Sequence, residues 1–312
     1  MTLRVRKLFG LCLICAAAAA APTAGLADIS SKSPAHGGEA DRQGGTRLAA
    51  YYTDLERRLV AGGALKTDPH APGRNWGAKA LARNFLDIAM YSEYAGVSTA
   101  TRGAPTAGTL RRWTVPVGVN VVFGASVPPA QRERDLNAIS RYARDLGRYT
   151  GHPVRMSTGR QGNLHVLVLS AAEIRGIDRL MSRLLPGAGP AVARAIRSAR
   201  PSILCMVVAQ PHQDRSRGYR NAVILVRAEH PNRLRDSCIQ EEMAQAMGLP
   251  NDSPRARPSI FNDDEEYGVL TVHDRALLGM LYDARLRPGM TLPEVSKLAP
   301  QIAASVLRRF TH

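Results

Sequence analysis

With 312 residues, 45% of them hydrophobic and 22% charged, the chain is long enough to bury a large core and too balanced for a disordered or fibrous protein. Lys and Arg number 42 against 26 Asp and Glu, a formal charge of +16 that draws anions: acidic proteins, envelope polymers or lipid headgroups. Aromatics make up only 5%, which leaves no stacking platform for single strands, so nucleic acid is not expected as a partner.

The chain opens with Arg4, Arg6 and Lys7, followed by an unbroken apolar or small stretch from Leu8 to Ala21. Gly25-Leu26-Ala27 puts small residues where a signal peptidase reads, so residues 1–27 are expected to be a signal peptide cleaved before Asp28. The stretch is short for a membrane span, and Leu11 and Ile14 precede Cys12 and Cys15 where a lipid-attachment signal needs a small residue. A periplasmic or secreted protein with no stable membrane anchor is therefore expected. The signal carries three basic residues and no acid, leaving the mature chain near +13.

Residues 28–46, rich in Ser, Gly and Pro, read as a flexible linker. A helical extension is expected over 47–110: one helix from Leu48 to Val60 stopped by Gly62-Gly63, a second from Ala78 to Tyr94, then a loop over 96–110. The main domain, 111–312, begins near Trp113. Val117, Val119, Val121 and Phe123 alternate in the β sense, Pro128-Pro129 opens a helix that Gly151 ends, and strands follow at Val154–Ser157 and Leu164–Ser170. This order favours a right-handed crossover and parallel pairing. Residues 171–199 read as two helices broken at Pro186-Gly187; strands are expected at Ile203–Ala209 and Ala222–Ala228, joined by a turn holding Arg215, Arg217 and Arg220. A helix from Asp236 to Met247, a loop over 250–268, and helices at Val272–Asp283 and Leu292–Phe310 complete the chain. The fold class is α/β of the α+β kind: a twisted mixed sheet packed by a crossover helix and a later helix, with helical segments at both ends. Once the signal is gone, Cys205 and Cys238 are the remaining cysteines, expected to pair as a disulfide in an oxidising compartment rather than stay as buried thiols.

The segment that stands above background runs from Glu241 to Asn251, EEMAQAMGLPN. Positions four apart share a helix face, so Glu241 and Gln245 are set to converge. Gly248 suits the left-handed turn that stops a helix, after which the chain can return Asn251 toward the same point. In its frame this segment resembles a metzincin protease, with EExxQxxGxxN where those enzymes carry HExxHxxGxxH. Downstream, Ser259-Ile260-Phe261-Asn262 falls where such proteases have a turn with methionine beneath the metal, and Leu270-Thr271, Asp274 and Leu281-Tyr282 resemble the tail after it. The chain is also similar to a bacterial family of secreted proteins of unknown function, through the Trp113 strand, the Thr150-Gly151 helix end, Asp252 in EExxQxxGLxxD, and the SIFND and LYDxRLxPGM strings.

The metzincin resemblance implies a zincin-like fold over roughly 113–290, with Glu242 at the position that activates zinc-bound water. The ligand positions instead hold Glu241, Gln245 and Asn251, and Phe261 replaces the methionine. Neutral amides are poor zinc donors, so no cofactor is expected. Calcium or another hard divalent ion is the alternative, drawn from Asp252 and the run Asp263-Asp264-Glu265-Glu266. The plain structural reading is that Glu241 and Glu242 merely favour a helix N-terminus. His165, His212, His230 and His273 lie at no metal-ligand spacing. Three functions compete: a catalytically degenerate zincin-like module binding a peptide or cell-envelope component; a peptide- or glycan-directed hydrolase using Glu242 with Asp252 or Asp263; and an electrostatic binder of anionic envelope polymers.

Overall fold

A computed structural model describes residues 39–70, 76–92, 106–157 and 162–310. The expected signal at 1–27 and residues 28–38 of the expected linker lie outside them.

Helix α1 (Glu39–Ala61) starts two turns earlier than the sequence implied, so residues 39–46 are helical. Gly62 and Gly63 end it as expected, with the Gly62 and Gly63 amides bonded back to Arg58 O and Val60 O. Helix α2 (Ala78–Ala89) stops well short of Tyr94, because the chain straightens at Tyr91 into β1 (Tyr91–Ser92) and pairs antiparallel with β2 (Thr106–Ala107).

The main sheet is built from β3 (Val117–Phe123), β4 (Val154–Met156), β5 (Leu164–Leu169), β6 (Cys205–Pro211) and β7 (Tyr219–Arg227). Its order is β4-β3-β5-β7-β6, with β6 alone antiparallel to its neighbour. The expected parallel pairing holds on both sides of β3. Helix α3 (Pro129–Thr150) makes the crossover from β3 to β4; Pro129 fits its first turn, and Gly151 at φ +68° closes it. The stretch after β5 gives three helices, not two: α4 (Ala171–Ile174), α5 (Asp178–Leu184) and α6 (Pro190–Arg197). The extra break follows from Ser170 and Glu173, whose reciprocal capping box starts a turn that ends before Ile177. After β7 come α7 (Asn232–Ala246), α8 (Val272–Leu281) and α9 (Leu292–Phe310).

The two sheet faces bury separate cores. One gathers Val117, Val119, Val166, Ile224 and Val226 with apolar residues of α2, α3, α7, α8 and α9; the other packs Leu167, Val208 and Leu225 under α4 to α6. The architecture is a mixed α/β fold of the α+β type with helices on both faces. Although β6 is the outermost strand, no residue from Cys205 to Gln210 is more than 5% exposed. The Cys205–Cys238 disulfide ties β6 to α7 with a Cα–Cα distance of 5.8 Å. Closing a loop of 33 residues, it contributes roughly 3–4 kcal/mol in the chain-entropy model. No described helix is long and apolar enough to cross a membrane.

Candidate functional site

Helix α7 starts at Asn232, behind Pro231, a turn before the expected Asp236. Two contacts hold that first turn. Glu56 of α1 accepts from the Leu234 amide at 2.7 Å, and Asn232 Oδ1 accepts from Arg235 at 2.7 Å. The first partner lies 178 residues away, so no local pattern announces it. Arg235 is itself buried and donates to Asp135 of α3 at 2.8 Å, a fully enclosed ion pair that fixes α7 against the crossover helix.

From Leu234 onward both the apolar and the polar sides of α7 are covered, Asp236 being only partly so. Within the frame, Glu241 is 1% exposed, Glu242 0%, Gln245 2% and Asn251 6%. Gly248 then takes φ +125°, and a Cβ there would stand 2.1 Å from the carbonyl oxygen of Arg111, so both conformation and space demand glycine. The chain does reverse after it, as expected. The reversal brings Asp252 to Gln245, whose Nε2 lies 3.5 Å from Asp252 Oδ1. Asn251 is placed elsewhere: its Nδ2 donates to Asp87 O at 2.8 Å and its amide to Ile88 O at 3.2 Å, closing the end of α2. Asp87 in turn accepts from Ser253 Oγ at 3.2 Å and from Arg255 at 2.6 Å. The loop beyond the frame is thus laced to α2.

Phe261 is fully buried at the turn expected to resemble the methionine turn. Asp274 organises that turn. Its carboxylate accepts from Ile260 N and Thr271 N, both at 2.9 Å, and from the Ser259 hydroxyl. Asn262 spreads its amide over the carbonyls of Ala256 at 2.8 Å and Pro254 at 3.2 Å. Thr271 and Asp274 form a capping box at the start of α8, a signal legible as T-x-x-D before an apolar run. The sequence reading missed its reach across to Ser259.

In the acidic run, Asp264 and Glu266 both pair with Arg257, and Glu266 also with Lys66 at 2.8 Å. Asp263 is half-buried and Glu265 buried. Among the described residues no group of three or more His, Cys, Asp and Glu side chains is placed to hold a metal ion. Beside this run lies a feature with no sequence signal. Leu65 and Glu265 both adopt left-handed backbone, at φ +53° and +60°, and the Leu65 amide donates to Glu265 O at 2.7 Å. Lys66 N continues to Glu266 O, Gly268 N returns to Lys66 O, and Val272 N reaches Pro69 O, so the segment after α1 is stitched along the loop before α8.

The buried histidines divide. His273 accepts at Nε2 from Asn84 at 3.1 Å and meets the Trp76 ring edge-on. His230 stands against Tyr52, with ring centroids 4.3 Å apart. Burial, with Arg227 and Arg235 nearby, holds its imidazole well below the ordinary range. Burial alone brings His165 down to about 4. Both therefore stay neutral at pH 7.

The model of one family, described as a protein of unknown function (DUF2927), matches residues 78–301. The chain belongs to this family. The DUF2927 match starts at the first residue of α2 and ends within α9, so it takes in the frame, the Asp274 turn and the α2 cover, and leaves out α1. No curated protein and no solved structure matches the chain.

Proposed function

We propose that this DUF2927 protein is an exported, zincin-like module without peptidase chemistry, whose task is to capture an anionic component of the cell envelope on its arginine-bearing exterior. Export is supported by the Arg4–Ala27 pattern and by a disulfide joining the two cysteines that survive signal removal. Zincin descent is supported by the order of parts. A crossover helix, a mixed sheet with one antiparallel outer strand, a helix bearing EExxQ, a glycine reversal and a buried turn follow in the sequence that the resemblance implies.

The observation that carries the non-peptidase half is the enclosure of the frame. Glu242 has no exposed surface, and Asn251 is committed to the end of α2. A general base must come within hydrogen-bond reach of a substrate, and in this conformation none can approach. Binding is left to the surface. There Arg134, Arg141, Arg179 and Arg194 are exposed and make no side-chain ion pair or hydrogen bond among the described residues.

The test has two arms. Purified protein is expected to hold no stoichiometric zinc and to cleave no member of a mixed peptide library. Cleavage abolished by Glu242→Gln overturns the reading. Immobilised polyphosphate is expected to retain the protein at low salt and to release it, with affinity down roughly tenfold or more, as ionic strength passes physiological levels. Indifference to salt, or no retention, removes the electrostatic half.

A further inference from the structure

Helix α1 is fastened to both arms of the disulfide. On its inner face the fully buried Tyr52 and the half-buried Glu56 stand one turn apart. The Tyr52 hydroxyl donates to Pro201 O at 2.9 Å, in the loop that enters β6 at Cys205. The Glu56 carboxylate accepts from the Leu234 amide at 2.7 Å, and Leu234 shares a face of α7 with Cys238, one turn further on. A third line runs through the rings. Tyr52 meets His230 edge-on with centroids 4.3 Å apart, and His230 brings Nδ1 to 3.9 Å from Cys238 Sγ. The helix is thus a second, non-covalent tie between the two parts of the chain that the bridge joins, and Cys205 and Cys238 are left 5% and 2% exposed.

The rest of α1 is held more lightly. Toward its N-terminus the Asp41–Arg175 pair has side chains 40% and 58% exposed, and such a pair contributes little. Arg42, Gln43, Thr46 and Arg47 are exposed. At the other end Gly62 and Gly63, the latter at φ +80°, separate α1 from the segment stitched to the acidic loop. The seat of α1 therefore rests on Tyr52, Leu55, Glu56 and Leu59. An element held by so few groups opens at lower free energy than the sheet behind it. A thiolate must reach a bridge sulfur to react, and with both cysteines enclosed it has to wait for such an opening.

We propose that α1 is a clasp over the Cys205–Cys238 bridge: its lifting is the motion that admits an external dithiol, which couples the seating of α1 to the redox state of the bridge. In the reaction a thiolate of the dithiol attacks one bridge sulfur. A mixed disulfide forms as the bridge bond breaks, and the departing cysteine leaves as a thiolate that water protonates. The second thiol of the dithiol, losing its proton to water, displaces the other cysteine. The dithiol ends oxidised to a disulfide and the bridge reduced to two thiols. The coupling is reciprocal, so loss of the bridge loosens α1 in turn.

The experiment follows reduction of the full oxidised protein by excess dithiothreitol without denaturant, quenched by alkylation and read at Cys205 and Cys238 by mass spectrometry. With opening fast and reversible, the rate is proportional to the open fraction, so its fold-change reports the change in lifting. Tyr52→Phe keeps the ring and removes one neutral hydrogen bond; it is expected to speed reduction roughly fivefold. Glu56→Ala removes a charge-assisted bond and is expected to speed it roughly tenfold or more. Ile302→Val, in α9 where it packs on α2 and α8, weakens the fold at large and is expected to leave the rate within about twofold of the parent. Hydrogen exchange gives the reciprocal readout: once the bridge is reduced, amides of Tyr52 to Val60 exchange faster while those of β5 do not. Both α1 variants reduced at the parent rate overturn the proposal. So does equal acceleration in all three variants, which would mean that the bridge opens only with the whole fold. So does α1 exchange that reduction leaves unchanged.

Discussion

A buried carboxylate persists where donors surround it, because an unsatisfied charge in a low-dielectric interior is expensive. Asp274 meets that condition with donors from three residues, Ser259, Ile260 and Thr271. Asp274→Ala strands two backbone amides and is expected to cost about 3–5 kcal/mol, read as a lower urea midpoint at unchanged slope. His165 makes a second prediction at this scale. Its folded imidazole sits at about 4, below its ordinary 6.5, so the folded state favours the neutral form. Above pH 6.5 the contribution is whole. As pH falls from there toward 4 the unfolded chain takes a proton that the folded one refuses, and stability drops by on the order of 2–3 kcal/mol. His230 acts in the same direction. Urea midpoints at pH 7 and 4.5 should differ clearly in the parent and by less in His165→Gln; equal losses in the two proteins would remove His165 as a cause.

Gly248 carries the sharpest expectation for an element, since the end of α7 depends on it. With φ +125° and the Arg111 carbonyl at 2.1 Å from any added carbon, Gly248→Ala forces the backbone apart and should destabilise by about 3 kcal/mol or more, measured by thermal or urea unfolding. This glycine was legible beforehand, as were the alternation in β3, the crossover helix between Pro129 and Gly151, and the cysteine pair. Each is encoded within a few residues, or, for the cysteines, follows from the expectation that Cys12 and Cys15 leave with a signal peptide. The start of α7 was not legible, because Glu56 caps it from a distant helix. The destination of Asn251 was missed for the same reason: its frame position says that the chain turns back, while Asp87 decides what it meets. The antiparallel joining of β1 to β2 and the Leu65–Glu265 contact likewise belong to tertiary pairing, which no local period reveals.

At the scale of the whole molecule, the two halves of the reading are physically independent. The frame is sealed by α2 and its loop, whereas Arg179 and Arg194 of the arginine-bearing exterior stand on α5 and α6, on the far side of the sheet over its own small core. Substitutions in one are expected to leave the other unchanged, since sites without shared partners add. The concealed flank of β6 has a wider consequence. Exposed strand margins are where chains zip together into fibres. Here one margin is out of reach, and the other is β4, three residues long, preceded by Pro153 and bearing the exposed Arg155. Long agitation at high concentration should therefore leave the folded protein free of thioflavin-positive aggregate, so that the chain can be crowded without templating its own kind.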